Sequence, residues 1–121
     1  MAFNWSEYLK LAEELAARTD EAAHRSAISR AYYAALGKAR EQLESDGGTF
    51  MPSDNLHSLV WQTFTNSPDD RRYYIGIDGR WLRLNRNASD YDAAMTDLSG
   101  RASQAVRKAR AVLDALERVK A

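Results

Sequence analysis

Three arginines at three-residue steps, Arg80, Arg83 and Arg86, are the side chains of this sequence best suited to hold phosphate. On a helix such spacing makes a basic stripe, which Arg71 and Arg72 would extend. A stripe of this kind is either a local surface for RNA or a nucleotide or a solvated face balanced by salt bridges. Asn87, Asp90, Tyr91 and Asp92 follow it closely. Tyr32 and Tyr33 could stack bases, but the small and apolar residues around them read as core. Arg30 lies in the same apolar surroundings. It could contact phosphate, yet an unpaired buried charge costs several kcal/mol, so a structural ion pair of Arg30 with Asp90 (or Asp92) is expected.

Composition limits the chemistry further. Lys and Arg number 17, Asp and Glu 17, and the net charge is zero. Non-specific nucleic-acid binding draws its affinity from neutralising phosphates, so any RNA contact must come from a local patch. Neutrality also leaves little self-repulsion to oppose self-association. There is no cysteine, which excludes disulfides, thiolate ligands and thiol nucleophiles. His24 and His57 are the only imidazoles, so a three-histidine zinc centre is impossible, and neither a metal nor a cofactor is expected. Trp5, Trp61 and Trp81 are either core residues or anchors for a partner. No apolar run approaches the roughly 20 residues of a membrane span. Met1 to Trp5 lead straight into an amphipathic pattern without a signal-like segment. A cytoplasmic protein without membrane contact is expected.

These side chains must be positioned by helices. At 121 residues the chain suits one domain, residues 1–121. Asn4 and Glu7 read as a capping box, with Tyr8, Leu11, Ala12 and Leu15 on one face of a first helix. A second helix is predicted from about Asp20 to Ser45, stopped by Asp46-Gly47-Gly48. Its middle, Ala31 to Gly37, lacks a polar face and reads as the central pillar of a bundle. Ser53 is the predicted cap of a third helix carrying Leu56, Leu59, Val60 and Phe64, which Asn66-Ser67-Pro68 ends. A fourth should span about Asp69 to Asn87, weakened and open to a break at Gly76 to Gly79. Ala88 to Met95 reads as irregular. From near Thr96 onward, Leu98, Ala102, Ala105, Val106, Ala109, Val112, Leu113, Leu116 and Val119 form an unbroken helical stripe. The fold class is all-α, an antiparallel bundle of four to five helices.

Two segments resemble the HEPN family, the higher-eukaryote and prokaryote nucleotide-binding domain. One is Arg25 to Ala35, followed by Ala39-Arg40; the other is Leu82 to Asp92. The resemblance implies a helical bundle, commonly a homodimer, with an arginine and a histidine from each subunit meeting RNA in a cleft near the dimer contact. Active members carry a late arginine and, after about four to six residues, a histidine. The histidine moves protons near neutral pH, and the arginine holds the phosphate as charge builds. The corresponding arginine here is Arg86, and no histidine follows it. Asp90 and Asp92 stand at the right distance, but a carboxylate is a poor proton donor at neutral pH. Arg18 and His24 satisfy the spacing at the junction of the first two helices, where the family keeps no site.

The expectation is therefore a non-catalytic, HEPN-like homodimeric binding or scaffold module, without catalytic residues. The resemblance implies as its partner a nucleotidyltransferase or a defence or toxin–antitoxin effector. RNA or nucleotide contact would fall to Arg80, Arg83, Arg86, Asn87 and Tyr91. Two alternatives stay open. One is a metal-independent endoribonuclease toxin built around Arg86, Asp90 and His57. The other is a nucleotide-binding regulatory domain.

Overall fold

In the computed structural model, which describes residues 2–51 and 55–120, five helices pack together and no strand is present among the described residues. They are α1 (Ser6–Ala16), α2 (Glu21–Ser45), α3 (Leu56–Thr65), α4 (Asp70–Tyr91) and α5 (Leu98–Arg118). No helix among these residues is long and apolar enough to cross a membrane.

Asp20 starts α2 by accepting a hydrogen bond from the Ala23 N–H. At the other end Gly47 adopts a φ of 99°, which only glycine takes without penalty. This lets the Gly48 N–H reach the Leu43 carbonyl and the Gly47 N–H the Glu44 carbonyl, a Schellman closure. Between these ends Ala27, Ile28, Ala31, Tyr32, Ala34 and Ala35 are wholly buried, and α2 packs against each of the other four helices. The pillar expected from the sequence is there. Gly37 admits the Trp5 ring to its surface, so α1 lies close against α2.

Some local expectations need correction. Asn4 closes a turn onto Ser6, accepting from its N–H at 3.1 Å and its hydroxyl at 2.7 Å, rather than forming a box with Glu7. On α1 Leu9 and Ala12 are buried, and Leu11 is exposed. The predicted cap Ser53 lies outside the described residues; Asn55 caps α3 by accepting from the Ser58 N–H. Leu59 is exposed, and Trp61 takes the core position instead.

The largest correction concerns α4, which runs unbroken through Gly76 and Gly79. Both glycines face α3. A Cβ at Gly79 would overlap the Trp61 ring, and one at Gly76 would lie 2.8 Å from the Thr65 nitrogen. They are contact points for a neighbouring helix, not a break.

The helix also continues to Tyr91, through half the stretch expected to be irregular. Arg25 of α2 explains why. Its guanidinium donates to the carbonyls of Ser89 (3.0 Å), Asp92 (2.6 Å) and Ala93 (3.1 Å), which would otherwise be orphans at the helix end. A cation there also suits the helix dipole. Arg25→Ala should lower stability by about 2 kcal/mol, because three charge-assisted bonds are lost together. Urea unfolding checks this, and an unchanged midpoint would show the clasp to be incidental.

Candidate phosphate-binding site

Around Tyr32, three helices bring together side chains that lie far apart in sequence. The Tyr32 ring is fully buried on α2. From α3, Trp61 donates its indole N–H to the Tyr32 oxygen at 3.1 Å. His57, one turn earlier on the same helix, places Nδ1 2.6 Å from that oxygen and stacks on the Tyr32 ring at 5.5 Å. Its edge meets Tyr33 at 6.2 Å. From α4, the Arg86 guanidinium lies 5.4 Å from the centroids of both tyrosine rings. Arg83, one turn earlier on α4, donates to the Ser58 hydroxyl at 3.0 Å.

These bonds assign the imidazole tautomer. An indole nitrogen only donates, so the Tyr32 oxygen accepts from Trp61 and its own proton must go elsewhere. Among the described residues, the His57 Nδ1 is the acceptor within reach. An Nδ1 that accepts leaves the ring proton on Nε2. No described group bonds Nε2, and it is not among the buried atoms lacking a partner. His57 therefore offers an N–H donor to solvent.

Charge reinforces this state. Burial, then the Arg86 charge, then the Arg83 charge hold the His57 pKa below its ordinary value of 6.5, so the ring is neutral at pH 7. Burial pushes the Tyr32 hydroxyl up to about 12, against the Trp61 bond and the two arginines. The two shifts have opposite consequences for stability. Tyr32 is raised in the folded state, so its contribution is intact below about pH 10. It is lost as pH climbs through about 12, by about 3 kcal/mol in all. His57 is lowered, so its contribution is intact above 6.5 and falls away as the solution is acidified below that value. Guanidinium unfolding across pH should show both flanks. A Tyr32→Phe chain should lose the alkaline one.

Arg86 is only 11 % exposed at its side chain, and its nearest carboxylate is Asp90 at 3.6 Å, one turn along α4. Its Nε is buried with no hydrogen-bond partner. The expected Arg30–Asp90 pair is thus replaced. Asp90 sits at helical spacing from Arg86, while the Arg30 guanidinium stacks on the Tyr8 ring at 4.9 Å. The aromatic face, not a carboxylate, receives Arg30. The basic stripe is divided as well. Arg80, Asn87 and Tyr91 are exposed, whereas Arg83 and Arg86 turn inward to α3 and α2. Arg71 pairs with Asp69 and Arg72 with Asp46, so neither extends it. His24 is also accounted for: Nε2 lies 2.6 Å from the Arg18 carbonyl, and the pair forms a local clasp between α1 and α2.

Spacing along the chain had placed no imidazole after Arg86, yet the fold supplies one from the other direction, through α3. The signal in the sequence was the four-residue step from His57 to Trp61 and the three-residue step on to Phe64. That step puts the histidine on the buried face of α3. Arg25 and Ser58 carried no comparable signal. Compared with family models, curated proteins and solved structures, the chain matches none of them.

Proposed function

We propose that this chain is a non-catalytic, HEPN-like RNA-binding module that holds a backbone phosphate at Arg83, Arg86 and His57. The observation that carries the reading is the Tyr32–His57 bond. It leaves the imidazole neutral, with its N–H outward, beside two fixed guanidinium groups. Such a group donates a hydrogen bond to a phosphate oxygen. It is a poor base, because its outer nitrogen already carries a proton, and a poor acid at neutral pH, because its pKa is depressed. The homodimer, and a nucleotidyltransferase or defence effector as partner, belong to the same proposal and rest on the family resemblance.

A second reading is favoured by one feature: an imidazole does share the Tyr32 and Tyr33 rings with Arg86. In a metal-independent endoribonuclease, His57 would move the proton, with Asp90 beside Arg86. One experiment separates the two. A fluorescent single-stranded RNA is titrated with the protein in chelator, and the RNA is then sized on a gel. Binding without cleavage is expected, with a salt slope that falls by about 0.7 in Arg83→Ala as one phosphate contact is lost. Cleavage that vanishes in both His57→Ala and Arg86→Ala would establish the enzyme, and absence of binding at low salt would remove both readings.

A further inference from the structure

On the far side of α4 from Arg83 and Arg86, a groove of about 870 Å³ opens between its C-terminal half and the start of α5. Trp81 and Tyr91 line it, with Tyr91 78 % exposed. Asn85 is buried to 8 % exposure and also lines it. The Asn85 Nδ2 donates to the Trp81 carbonyl at 3.0 Å. A carbonyl can only accept, which fixes the amide orientation and leaves Oδ1 without a partner among the described residues. Asp97 closes one end in the left-handed region, at φ 49° and ψ 46°, and its carboxylate makes no capping bond to α5. Asp92 and Arg101 complete the polar lining.

We infer that this groove is a guanine-binding subsite for one unpaired base of the RNA strand. The inference rests on the RNA-binding reading above and extends it from phosphate to base. With two carboxylates against one guanidinium, the lining repels a phosphate. It favours a flat ring that carries N–H donors on one edge and acceptors on another. Guanine has that pattern. Its N1–H and exocyclic amine suit the carboxylates and the Asn85 Oδ1, while O6 and N7 suit an arginine. Its faces stack on the aromatic rings, a contact that any base makes and that contributes about 1–3 kcal/mol. The exposed ridge of Leu84, Asn87 and Tyr91 separates the groove from the arginine side of α4. A strand laid over this ridge gives its phosphate to one side and a base to the other.

The test uses guanosine, a nucleoside without phosphate, so the two sites are read independently. Titrated into the intact chain, guanosine should move the Trp81 indole N–H resonance, identified by its loss in Trp81→Phe. Adenosine and uridine should move it far less. Tyr91→Ala and Asp97→Asn, the latter compatible with a left-handed backbone, should each weaken the effect about tenfold. Arg86→Met should leave guanosine binding intact. An unmoved Trp81 resonance, or equal shifts with all three nucleosides, overturns the guanine subsite even if RNA still binds. Guanosine binding in a chain that binds no RNA upholds the groove and removes the phosphate reading.

Discussion

Replacing Gly79 with alanine should lower the unfolding midpoint by roughly 10 °C, a loss of about 3 kcal/mol. Helix propensity alone gives the opposite sign, because alanine is favoured over glycine by about 1 kcal/mol within a helix. Packing decides the outcome. The new methyl group would overlap the Trp61 ring, which is only 1 % exposed and has nowhere to retreat. Nor can the ring turn freely, since its N–H is held by the Tyr32 oxygen at 3.1 Å. Moving it leaves a buried donor unsatisfied, at a cost of about 1–3 kcal/mol. The disturbance would pass to His57, which bonds the same oxygen. Calorimetry checks the sign directly: a Gly79→Ala chain that melts higher would show that α3 and α4 are not locked through Trp61.

The same glycine shows why the fold was only partly legible from sequence. Patterns confined to one helix were read well. The all-round apolar run of α2 and the unbroken stripe of α5 both state their own burial, and Gly47 with Gly48 states its own stop. Gly76 and Gly79 were misread because their meaning lies in α3, a neighbour that helical periodicity does not identify. Residues Ala88 to Tyr91 were misread for a similar reason. The Ser89, Asp92 and Ala93 carbonyls at that helix end are satisfied by Arg25, which lies more than sixty residues earlier. At the site, the basic residues were visible, but their division into inward Arg83 and Arg86 and outward Arg80 depends on which side of α4 meets α3. The motif's fixed step offers no histidine after Arg86, and His57 entered only as an alternative partner, because spacing along the chain does not say which helix reaches Tyr32.

Arg86→Met should keep or raise stability while removing most of the affinity for RNA. Arginine is an expensive choice at this position. Its Nε is buried without a hydrogen-bond partner, and its carboxylate partner Asp90 stands at 3.6 Å rather than in close contact. Removing one partner of an ion pair is costly when the other charge stays buried, but the Asp90 side chain is 34 % exposed and keeps its hydration once Arg86 is gone. Methionine fills comparable space and keeps favourable contact with the Tyr32 and Tyr33 rings, offsetting the lost cation–π attraction. On the proposed reading, a phosphate bound by the guanidinium offsets that cost.

The decisive measurement is therefore paired, taking the melting temperature and single-stranded RNA affinity of Arg86→Met beside the unaltered chain. A melting temperature equal or higher, with RNA bound at least about tenfold more weakly, is the expected result. RNA affinity left unchanged in a fully folded Arg86→Met chain would contradict the assignment of Arg86 to phosphate.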